Sequence, residues 1–173
     1  MLPKLIALVR SESLDECRTI VNGLAQAGVP GIEVTMTVPG ATEALRQVTG
    51  SISTIGAGTV VDAESCQACI DAGARFIVSP VTDLAVLDQA RRGGVPYVGG
   101  ALSPSEILAS LRTGCDAIKL FPISAVGGPG YLRAVREPFP QLRAVVSGRG
   151  SARRGRRLLR SGRARRLHGE RPD

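Results

Sequence analysis

Ala117-Ile118-Lys119-Leu120-Phe121-Pro122 is a short apolar run with one lysine in its middle, closed by a proline. Its length and branching fit a buried parallel strand over 117–123, and the lysine sits toward the end of that strand. Working outward, similar runs recur at nearly even spacing: 4–10, 31–36, 53–60, 76–81, 97–102 and 143–147. Amphipathic stretches predict helices between them at 14–27, 41–48, 63–72, 84–92, 105–113 and 131–136. Asp62, Asp83 and Ser103-Pro104 are placed to cap helix starts, and Gly28, Gly73, Gly93 and Gly114 to end helices. Seven strands alternating with six helices predict a parallel sheet with helices outside, as either an open doubly wound sheet or a (β/α)8 barrel.

The strand ends separate these two architectures. A dinucleotide fold places Gly-x-Gly-x-x-Gly after its first strand, but Val9-Arg10-Ser11 stands there, and Gly56-Ala57-Gly58 has Val61 where the third glycine belongs. Polar residues instead recur at strand C-termini: Arg10, Glu33 with Thr35, Thr59, Ser79 and Lys119. Barrel sites are assembled from the ends of several strands, so the expected fold is an α/β (β/α)8 TIM barrel lacking its last βα unit.

Composition narrows the class further. The 173 residues are 43% hydrophobic and 3% aromatic, and 22 Lys+Arg against 15 Asp+Glu give a net charge of +7. That excess is local: residues 1–148 hold 12 basic and 13 acidic side chains, and residues 149–173 hold 10 arginines and 2 acids. The pI of about 10.0 therefore describes a tail rather than a nucleic-acid-binding domain. Without a spanning segment or a signal-peptide layout, the chain is expected to be cytoplasmic. Cys66 and Cys69 lack the second ligand pair that zinc requires, and are expected to be reduced thiols.

Lys119 and Glu33 are the candidates for chemistry. A buried lysine amine is desolvated, which favours its neutral, nucleophilic form and suits it to attack a carbonyl as a Schiff-base former. In Gly31-Ile32-Glu33-Val34-Thr35, Ile32 and Val34 face the helices, so Glu33 and Thr35 face the interior. A carboxylate there can move protons for imine chemistry, or can pair with Lys119 for structure alone; both roles need the same proximity.

Gly31-Ile32-Glu33-Val34-Thr35, Gly56-Ala57-Gly58-Thr59-Val60, Phe76-Ile77-Val78-Ser79-Pro80 and Ile118-Lys119-Leu120-Phe121-Pro122 occur in this order at family intervals. The chain resembles the 2-keto-3-deoxy-6-phosphogluconate/2-keto-4-hydroxyglutarate aldolases from about residue 5 to 148. The resemblance implies a class I lyase that cleaves a 2-keto-3-deoxy-6-phospho sugar acid or 4-hydroxy-2-oxoglutarate to pyruvate and an aldehyde. It implies Lys119 as the Schiff-base lysine, Glu33 as the acid/base, Thr59 at the pyruvyl carboxylate, and Pro80 and Phe121 as pocket walls. Ser147 and Gly148 begin the substrate-binding end of strand seven, no metal or cofactor is implied, and a homotrimer is.

Two departures accompany it. Met36-Thr37 stands where an arginine often holds the substrate carboxylate, leaving Arg10 as the available substitute. After Gly148 the family has a second glycine, a helix and an eighth strand that bind phosphate; here Arg149 and arginine-rich sequence follow. Residues 1–148 thus read as the barrel domain and 149–173 as an aberrant tail, consistent with a frameshift. Regrouped codons let 157–160 read Asp-Tyr-Phe and 166–172 read Val-Cys-Met-Gly-Ser-Asp. The alternative is an inactive barrel fragment whose tail binds polyanions nonspecifically, the one route by which nucleic acid is expected to bind.

Overall fold

In a computed structural model, which describes residues 2–48 and 54–147, seven strands and six α-helices alternate. The strands are β1 (Ala7–Val9), β2 (Ile32–Thr35), β3 (Ile55–Gly58), β4 (Ile77–Val78), β5 (Tyr97–Ala101), β6 (Ala117–Leu120) and β7 (Ala144–Val146). The helices are α1 (Leu14–Gln26), α2 (Ala41–Val48), α3 (Ala63–Asp71), α4 (Leu84–Arg92), α5 (Pro104–Thr113) and α6 (Pro129–Arg136). All neighbouring strands pair in parallel, in the order β1-β2-β3-β4-β5-β6-β7. The sheet curls as an incomplete (β/α)8 barrel, with β1 and β7 at its edges among the described residues. Residues 148–173, which contain the Arg-rich tail and Gly148, lie outside the described residues.

Strand alternation sorts the apolar side chains into layers. Ile32, Val34, Ile55, Ala57, Ile77 and Tyr97 point outward and pack under helices with Cys17, Val21, Leu45 and Leu87. Phe76, Val78, Val98 and Ala117 form a separate inner cluster, flanked by Leu2, Ile6 and Val145. A third cluster joins Ile107, Ile118, Leu120 and Leu132 beneath α5 and α6. Each fully buried large apolar side chain contributes about 1.5–3 kcal/mol, so these layers dominate the fold's stability.

The caps act as the sequence predicts. Asp62, Asp83 and Ser103 accept backbone N–H bonds from Ser65, Val86 and Glu106, and Ser103 forms a full capping box with Glu106. After α4, however, Gly94 rather than Gly93 takes the left-handed conformation, at φ 66°. Gly93 is small for another reason: a Cβ there would meet Ile70 Cδ1 at 2.7 Å.

Strand C-termini differ most from expectation. Ser79-Pro80-Val81 leaves the sheet after β4, and Ile123 opens a 3-10 turn, Ile123–Val126, after β6. These segments are apolar enough to read as strand, but 79–81 turns at the sheet's C-terminal end and Ile123 packs into the core beneath α6. Cys66 and Cys69 lie in the core, where burial pushes their thiols up to about 11 and about 12.

Candidate active site

Register places the two charged residues on the inner face. Glu33 lies opposite Leu8 of β1 and Gly56 of β3, and Lys119 between Gly100 of β5 and Val145 of β7. Their side chains reach across the half-barrel until Lys119 Nζ stands 3.6 Å from Glu33 Oε1, with each side chain only 5% exposed. This is an ion pair rather than a hydrogen bond, and Glu33 Oε1 is buried without a hydrogen-bond partner. At this distance the amine and the carboxylate oxygen face each other directly.

Burial raises Glu33 above the ordinary glutamate value, while the Lys119 and Arg10 charges oppose that rise. Its proton affinity is therefore set against two cations by desolvation, the effect that brings carboxylates toward neutral-pH proton transfer. The Phe121 ring completes this corner, its centroid 5.6 Å from Lys119 Nζ. Phe121 is 38% exposed, so it stands between the buried amine and solvent.

The remaining sequence candidates occupy the same strand ends. Arg10 follows β1 and is exposed, and Thr35 Oγ1 donates 3.2 Å to Val9 O, tying the residue before Arg10 to β2. Thr59 lies just past β3 at φ 61°, a conformation that costs a β-branched residue about 1–3 kcal/mol and recurs at functional sites. Pro80 is half-buried after β4; a Cβ on Gly100 would meet its carbonyl oxygen at 2.0 Å, so β5 needs glycine there. Ser147 is half-buried after β7. Gly148 lies outside the described residues.

A cleft of about 610 Å³ opens beside this site, between the β4–α4 loop and α5, and shares Pro80, Gly100 and Phe121 with it. Neither Lys119 nor Glu33 lines the cleft. Among the described residues, burial and opposite charge coincide at the Lys119–Glu33 pair rather than in the cleft. The cleft's inner wall, where Thr82 Oγ1 meets Ser110 Oγ at 2.7 Å, was not foreseen from sequence. The pair of glycines in Tyr97-Val98-Gly99-Gly100-Ala101 was its available signal, since strand glycines mark close approach.

Residues 2–164 match the model of the KDPG and KHG aldolase family. The 2-dehydro-3-deoxy-phosphogluconate aldolase of Pseudomonas aeruginosa is 35% identical over 131 residues, 75% of this chain and 60% of that protein. The Treponema pallidum protein of the same name is 31% identical over 147 residues, 84% of this chain and 70% of that one. Among solved structures, a Legionella pneumophila KDPG aldolase with pyruvate captured as a covalent carbinolamine superposes with a TM-score of 0.80 at 29% identity, covering 89% of this chain and 76% of that one. The chain thus spans 60–70% of the length of these two sequence relatives.

Proposed function

Because the chain belongs to the KDPG and KHG aldolase family, we propose that it is a class I aldolase cleaving a 2-keto-3-deoxy-6-phospho sugar acid or 4-hydroxy-2-oxoglutarate to pyruvate and an aldehyde. The buried Lys119–Glu33 pair carries this reading, because it sets a nucleophilic amine beside a carboxyl group able to exchange protons. Proton transfer from the ammonium to Glu33 within the pair frees the amine. Nζ then adds to the C2 ketone, and loss of water from the carbinolamine leaves a protonated imine.

Glu33, again a carboxylate, takes the C4 hydroxyl proton as the C3–C4 bond breaks. The bond's electron pair flows to the imine nitrogen, giving an aldehyde and an enamine. Glu33 returns the proton to C3, and water hydrolyses the protonated imine to pyruvate and the Lys119 ammonium, restoring the starting pair. The protein supplies the electron sink itself, as the lysine's covalent adduct.

Around the pair, Arg10 and Thr59 hold the keto-acid carboxylate, and Pro80 and Phe121 wall the pocket. Ser147 and Gly148 border the far end of the substrate. Residues 1–148 form the catalytic domain and 149–173 a separate basic tail in a cytoplasmic homotrimer. No described helix is long and apolar enough to cross a membrane, which is compatible with that location.

Borohydride trapping with pyruvate tests the proposal. A pyruvate-derived mass increment on Lys119, absent in Lys119→Met, is the expected result. No adduct, together with salt-sensitive nucleic-acid binding, would instead identify an inactive fragment with a polyanion-binding tail.

A further inference from the structure

We infer that Gly58 is a positioning residue for Glu33: the missing side chain at the end of β3 is the space in which the carboxyl group sits beside Lys119. The inference rests on the function proposed above and deepens it. A Cβ on Gly58 would lie 2.0 Å from Glu33 Oε1, 2.5 Å from Cδ and 2.6 Å from Cγ. Three consecutive Glu33 atoms therefore occupy the volume that any other residue would fill.

Backbone geometry is not the reason for glycine here, since Gly58 has no positive φ. Glycine inside a strand weakens it relative to alanine, so space is what the position gains. Gly56, two residues earlier, serves the core instead, because its missing Cβ admits the Phe76 ring, 2.5 Å from where that atom would be. One glycine makes room for an aromatic ring and the other for the acid/base group. Glu33 is 4% exposed and walled by β1 and β3, so a methyl group at 58 forces the carboxyl away from the amine.

Gly58→Ala provides the test, read by pyruvate trapping on Lys119, deuterium exchange into the pyruvate methyl group, and the pH dependence of that exchange. Lys119 and Arg10 are the charged groups acting on Glu33, and both remain in the variant. The expected result is an adduct that still forms but more slowly, exchange slowed roughly tenfold or more, and an acidic limb moved to lower pH as the displaced carboxyl meets water. A folded variant with wild-type exchange and an unmoved limb would overturn the inference.

Thermal midpoints decide the same point without catalysis. Adding Gly58→Ala to Glu33→Ala should leave Tm within ~2 °C, because the obstructing side chain is gone. A further large fall would overturn the inference. If the unmodified protein traps no pyruvate, the aldolase reading falls, and the midpoint comparison alone judges whether Gly58 seats Glu33.

Discussion

Glu33 is sealed from water with its Oε1 ion-paired to Lys119 at 3.6 Å but without a hydrogen bond, an arrangement that packing alone does not require. Removing one partner of a buried pair typically costs about 3–5 kcal/mol, and an apolar pair of equal volume is often no less stable. The proposed aldolase chemistry gives the pair a role that stability does not supply. Glu33→Gln preserves shape and removes proton exchange, so pyruvate should still be trapped on Lys119, only more slowly because the ammonium must lose its proton to water, while methyl exchange falls by ~10²–10⁴-fold. Exchange in the unsubstituted protein needs the carboxylate form, and burial raises Glu33. The rate should therefore fall as pH drops through a value above that of an ordinary glutamate. An acidic limb at or below the ordinary value would contradict the burial-dominated balance.

At the scale of elements, strands supply direction and the turns after them supply the site. Glu33 and Lys119 are legible because each interrupts an apolar run, and Thr35 because alternation sets it on Glu33's face. Composition overextends the strands at 79–81 and 121–123, because exposed Val81 and Phe121 and the buried Ile123 that follows have the composition of a strand. Helix starts are better defined, since a cap is a local hydrogen bond between residues three apart. Ser103→Ala removes such a bond and should lower unfolding free energy by about 0.5–2 kcal/mol, measured by denaturant titration. An unchanged midpoint would place the helix's start under tertiary control instead.

Across the whole molecule, β2 to β6 are paired on both sides, while β1 and β7 are each paired on one side among the described residues. Only Val9 of β1 is fully buried, and all three β7 residues are half-buried. Amides of β3–β5 should therefore exchange with solvent at least ~10-fold more slowly than those of β1 and β7, by native-state hydrogen exchange. Equal protection would mean that both edges are covered in solution.

What the sequence by itself determined is the alternation of elements, the half-barrel they build, the caps, and the identity of the lysine and glutamate. Each follows from periodicity or from contacts a few residues long. Only the tertiary structure decided that Lys119 and Glu33 meet, that the buried Oε1 has no hydrogen bond, and that Gly58 and Gly100 are glycines to make room for Glu33 and Pro80. Those facts depend on register and on which atoms from distant strands claim the same volume, quantities that no local pattern encodes.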